Sequence, residues 1–176
     1  MRPLVFTMQF EGQVAPVEGS AGKLRARTFA HGQTLRTTLT AEAVESALES
    51  TAGASATFES EVEMTGDGLF VESGSISYGT AGSLRFGTVG QGVLGPSGID
   101  GLQRGAVIWE VTGGEGQFAG AAGLITSNFT VGADGAVVDN HVACLFTQST
   151  RRKEHDAMGP EESCLRRARS SSEEAS

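Results

Sequence analysis

Positive charge is scarce in this sequence: 13 Lys and Arg stand against 21 Asp and Glu, for a net charge of −8. Nucleic-acid backbones and anionic membrane surfaces attract basic faces, so both are excluded as partners. Cysteine is scarcer still. Cys144 falls in a strand-like segment and Cys164 in a polar one, which leaves no disulfide framework and two free thiols. The three histidines, His31, His141 and His155, show neither H-x-H nor H-E-x-x-H spacing, so no metal site is expected. No apolar run approaches the roughly 20 residues that cross a bilayer as a helix. The opening "MRPLVFTMQF" is cut by Thr7 and Gln9 where a secretory signal needs a continuous apolar core. A cytoplasmic chain without membrane contact is the expectation. Proline is rare, with four residues, whereas glycine reaches 25, about twice its ordinary usage. That balance favours many tight turns and an all-β fold.

What is present is alternation. The chain has 176 residues, 39% of them hydrophobic, enough for one core. Leu4, Phe6, Met8 and Phe10 alternate with Val5, Thr7, Gln9 and Glu11, the period of two that defines a strand. Lys23 to Leu39, broken at "AHGQ", reads as a hairpin. After Thr40, an N-cap residue type, Ala41, Val44 and Leu48 recur at helical spacing and predict one short helix. In the next segment Phe58, Ser60, Val62 and Met64 share one face, and Glu59, Glu61 and Glu63 occupy the other, facing water. Further strands follow over Leu69–Tyr78, Leu84–Leu94, Gln103–Val111, Leu124–Val131 and Val137–Thr147, giving eight or nine in all. "EMTGDGLFVESGSI" and "EVTGGEGQFAGAAGLI" echo each other, through duplication or through shared turn chemistry. Residues 1–149 form the predicted β domain, and the charged, serine-rich stretch 150–176 is predicted to be disordered, its "RRARSSS" a solvated tail, a kinase site or a basic tether.

The segment "VTGGEGQFAGAAG", Val111 to Gly123, holds five glycines between two alternating stretches. Gly113, Gly114 and Gly116 suit a tight turn with a bulge, and Gly120 and Gly123 suit a bent, closely approached strand. A phosphate loop is the competing reading. It lacks a following helix and a Lys-Ser/Thr pair, and Glu115 repels a phosphate. The segment resembles the V-x-G-G-x-G-x-F-x-G-A-x-G stretch of the allene oxide cyclase barrel and is more loosely similar to dirigent proteins and to small bacterial barrel proteins. The resemblance implies an eight-stranded antiparallel closed barrel with an interior pocket, assembled as a dimer or trimer. It also implies a cofactor-independent isomerase or cyclase that confines a hydrophobic, reactive metabolite in the lumen. A carrier or structural barrel is the alternative, because eight strands enclose either packed side chains or one small ligand.

Candidate site residues follow from that picture. The resemblance makes Glu11 the match for the family's pocket carboxylate, against a solvent-facing reading. Glu110 lies in a strand with Trp109 in which both faces are largely apolar; a buried carboxylate there would have a raised pKa, whereas a rim position would leave it in water. Tyr78, Trp109, Asn128, Asn140 and His141 are candidate ligand contacts, and Asp139 shares a face with His141. Their bland alternatives are a strand-end cap for Tyr78 and surface positions for Asn128, Asn140 and the Asp139–His141 pair. Hydrolase readings rank low, because no G-x-S-x-G elbow occurs and nothing near Cys144 activates a thiolate.

Overall fold

The computed structural model describes residues 1–148, in which eleven strands account for most of the chain. The stretch 150–176, with its predicted disorder and with Cys164 and His155, lies outside the described residues. The strands are β1 (Arg2–Pro16), β2 (Lys23–Ala30), β3 (Gln33–Leu39), β4 (Val44–Ser50), β5 (Ala56–Gly66), β6 (Leu69–Ser77), β7 (Gly82–Thr88), β8 (Gly92–Pro96), β9 (Leu102–Gly116), β10 (Ala122–Gly132) and β11 (Ala136–Thr147).

Eight staves close into an antiparallel barrel in the order β10, β11, β1, β2, β5, β6, β7, β9, with β9 pairing back to β10. One stave is built from two pieces. Between β6 and β9, β7 serves one end and β8 the other, with Phe70 opposite Gly92 and Val93 opposite Ala106. The predicted single strand Leu84–Leu94 is therefore interrupted. Beside the interruption, Thr88 Oγ1 accepts from the Glu72 amide at 2.7 Å and donates to the Glu72 carbonyl at 2.8 Å. A side chain thus completes the ladder where backbone partners run out.

The predicted short helix is corrected. The chain from Gln33 to Ser50 is a β3–β4 hairpin standing outside the barrel sheet, and Thr40 closes its turn by accepting from the amides of Glu42 and Ala43. The hydroxyl chemistry that caps a helix also closes such a turn, and residues four apart share a strand face as well as a helix face. Val44 and Leu48 accordingly sit opposite Leu39 and Leu35. The predicted hairpin of Lys23–Leu39 also separates: β2 pairs with β1 and β5, and β3 pairs with β4.

Outward side chains of β2 and β5 form a ladder of opposite charges, with Arg25 3.1 Å from Glu61, Arg27 3.0 Å from Glu59 and Lys23 3.9 Å from Glu63. The three glutamates face water as their spacing predicts. Cys144 is a free, exposed thiol. Among the described residues no helix is long and apolar enough to cross a membrane.

The glycine-rich segment seals one end of the barrel. Gly113 and Gly114 lie inside β9, opposite Arg85 and Leu84, and the register slips between Arg85 and Phe86, the bulge that the segment predicts. The turn itself lies one step later than predicted. Gly116, at φ 65°, reverses the chain so that Phe118 folds back to plug the barrel mouth, 2% exposed. A Cβ on Gly114 would collide with the Phe118 carbonyl oxygen. This closed end also holds Tyr78, packed against Phe6 and Phe118, above a layer of Ile76, Leu84, Ile125 and Leu145.

Candidate functional site

The inward faces of the strands place a belt of polar groups midway along an otherwise apolar lumen. Thr28 comes from β2, Ser60 from β5, Glu72 from β6, Trp109 from β9, Ser127 from β10, and Asp139 with His141 from β11; all are buried. Each sits at an inward position of its alternation: Glu72 lies between Phe70 and Gly74, and Asp139 and His141, adjacent on one face, lie between Val137 and Ala143.

Two carboxylates anchor the belt. Glu72 Oε1 accepts from Ser60 Oγ at 2.5 Å and Glu72 Oε2 from the indole Nε1 of Trp109 at 3.2 Å. Asp139 Oδ1 accepts from Ser127 Oγ at 2.6 Å, and Asp139 Oδ2 lies 2.8 Å from His141 Nε2. The imidazole is packed among Phe10, Phe58 and Trp109, and its Nδ1 has no hydrogen-bond partner. Burial pushes the Glu72 carboxyl up to about 7, and the charge of Asp139 pushes the same way, against the hydrogen bonds from Ser60 and Trp109. Both protonation states of Glu72 are therefore populated near neutrality, so the group can accept or donate a proton.

Glu72, Asp139 and Thr28 face a cavity of about 120 Å³ in the open half of the barrel. Its other walls are apolar or aromatic, including Phe58, Phe70, Phe129, Val62 and Val137, with Gln103 at the rim. Thr28 Oγ1 is buried without a hydrogen-bond partner. No lysine, arginine or histidine lines the space. Among the described residues no group of His, Cys, Asp and Glu has the arrangement of a metal site.

The carboxylates nominated from sequence lie elsewhere. Glu11 and Glu110 are exposed on the outer wall, where the alternation turns them away from Phe10 and Trp109. Their assignment to the lumen is corrected. Strand β9 is apolar on both faces, with Ile108 outside and Trp109 inside, so its pattern did not distinguish the two sides. Asn128 and Asn140 also face outward, Asn140 donating to the Asn128 carbonyl and accepting from Gln9. His141 is the candidate that reaches the belt as a polar group paired with Asp139 inside the lumen, and the surface reading of that pair is corrected. Trp109 reaches it too, behind Glu72 and outside the cavity lining. Tyr78 is separated from both, in the packing of the closed end, where burial raises its phenol above the usual range.

The belt also contains Glu72, Ser60, Thr28 and Ser127, which no sequence motif marks as site residues. The signal for Glu72 was present, a carboxylate on the face shared by Phe70 and Ile76. No family model, curated protein or solved structure matches this chain.

Proposed function

We propose that the protein is a cofactor-independent isomerase or cyclase that holds a small apolar molecule in the open half of the barrel and moves a proton within it. One observation carries this reading: a buried carboxyl that titrates near neutrality, Glu72, faces an apolar cavity beside a second carboxylate. The resemblance of Val111–Gly123 to the allene oxide cyclase segment implies the same class of reaction, and the role given to Glu72 rests on its burial and its place at the cavity.

The chemistry needs nothing beyond these groups. Ionised Glu72 takes a proton from an acidic carbon of the bound molecule, and the protonated carboxyl returns it to another carbon, so atoms and electrons balance within the substrate. A pKa near the working pH keeps both transfers accessible. The apolar walls hold one conformer and exclude water, which favours internal rearrangement over hydrolysis.

A second reading, a non-catalytic barrel that carries a small molecule or is structural and binds nothing, draws on the cavity's size. About 120 Å³ is below the roughly 300 Å³ at which ligand pockets commonly begin. The test begins with native mass spectrometry of protein from its own host, to identify a bound small molecule. That molecule is then incubated with the protein in deuterium oxide. Wild type is expected to rearrange it, with or without deuterium entering its carbon framework, and Glu72→Gln to bind it unchanged. Binding by wild type with neither rearrangement nor exchange would leave the carrier.

A further inference from the structure

We propose that the lumen selects an uncharged ligand of about one six-membered ring carrying a single oxygen, hydroxyl or carbonyl, which is held at the Thr28–Glu72–Asp139 floor. The inference rests on the lumen being a ligand site and deepens that reading by naming the ligand class.

Size comes first. An apolar cavity of about 150 Å³ holds benzene, so a space of about 120 Å³ holds a ring of that order or a chain of similar bulk. Aromatic walls from Phe58, Phe70 and Phe129 favour the ring. Charge is decided by the floor. Two carboxylates face the cavity and no cation lines it, so an anionic head group would be desolvated next to like charge. A carboxylate or phosphate ligand is therefore rejected, and a fatty acid entering head first is among those rejected. A cation is not favoured over a neutral ring, because both carboxylates already accept from protein donors, Ser60 and Trp109 for Glu72, Ser127 for Asp139.

The oxygen is implied by Thr28. Its hydroxyl is buried, faces the cavity and has no partner, although buried polar groups are almost always hydrogen-bonded. A purely apolar ligand would leave it unsatisfied. A ligand oxygen among these three residues accepts from Thr28, and from Glu72 when that carboxyl is protonated; a ligand hydroxyl donates to either carboxylate. One oxygen thus satisfies the floor in either protonation state.

The full chain, labelled at its valine and methionine methyls, is titrated by NMR with phenol, cyclohexanone, toluene and benzoate. Phenol and cyclohexanone are expected to shift the Val62, Met64 and Val131 methyls and to bind at least about tenfold tighter than toluene, the size of one well-made hydrogen bond. Benzoate is expected to leave these methyls unmoved. Thr28→Val, which keeps the side-chain shape, is expected to bring both oxygenated probes down to the toluene level. Toluene binding as tightly as phenol, or an unchanged preference in Thr28→Val, overturns the oxygen handle and leaves the lumen as a ligand site. Benzoate binding best overturns the neutral class. If no probe moves the lumen methyls of the folded protein, both this inference and the lumen reading fall.

Discussion

The two halves of the lumen are made from the same strands and the same alternation, yet one is packed and the other is partly empty. At the belt Trp109, Phe58 and Phe86 pack against one another with ring centroids 4.6–5.5 Å apart, and in the closed half Ile76, Leu84, Ile125 and Leu145 are fully buried and Phe118 seals the end. In the open half smaller side chains, Val14, Leu24, Val62 and Val131, surround the cavity and leave the carboxyl floor facing it. An eight-stranded lumen is just wide enough to be filled by side chains or to hold one small ligand, and in the open half Val14, Leu24, Val62 and Val131, beside the rings of Phe58, Phe70 and Phe129, leave part of it unfilled. Stability is therefore concentrated in one half, and ligand chemistry is proposed for the other.

The largest expected effect comes from breaking the seal. Gly116→Val places a β-branched residue at φ 65° against the Ala81 backbone and is expected to cost about 4 kcal/mol or more, read by denaturant unfolding. Preserved stability would mean that Phe118 is not what closes the barrel.

The same truncation in each half sharpens the contrast. Leu84→Ala, in the fully buried layer, is expected to cost about 2–5 kcal/mol, and Leu94→Ala, at the half-buried cavity wall, about 1 kcal/mol or less, because less packing is lost there. Equal costs from chemical denaturation would erase the distinction.

Glu72 gives the open half a pH dependence. Its carboxyl is raised from 4.5 to about 7 on folding, so the folded state binds the proton more tightly than the unfolded chain. Its contribution is intact below about pH 4.5 and is lost as pH rises through 7, amounting to about 3 kcal/mol. Glu72→Gln is expected to equal wild type near pH 4 and to exceed it by about that amount above pH 8, in unfolding curves across that range. A constant difference at every pH would mean that Glu72 is not raised by burial.

The smallest effect is expected outside the lumen altogether. Glu115 pairs with Arg85 at 3.8 Å, with both side chains more than half exposed. Glu115→Ala is expected to change the thermal midpoint by no more than about 1 kcal/mol's worth and to leave probe binding unaltered. Loss of phenol binding in this variant would return the glycine segment to the role of a binding loop.

Much of this architecture is legible in the alternation. A period of two identifies Phe58, Ser60, Val62 and Met64 as one face whether or not the partner strands are known, and turn glycines mark most reversals. The face of Glu72 was equally legible, since a carboxylate between Phe70 and Ile76 lies on the buried side by the same rule. Local chemistry gave a less secure reading at Thr40, where capping a helix and closing a hairpin use the same hydroxyl, and at β9, where two apolar faces compete. There the neighbouring strands decide.

By itself, then, the sequence determined an all-β chain, its acidic exterior and most of its strands, because these follow from composition and from contacts between residues near in sequence. Only the tertiary structure decided that Glu72 meets Ser60 and Trp109, that Asp139 and His141 turn inward, and that Thr28 faces the same cavity. Those meetings depend on barrel closure and on the register of strands separated by up to more than a hundred residues. The alternation marks the buried face of each strand, but which residue of a distant strand each side chain meets across the lumen is set only when the barrel closes.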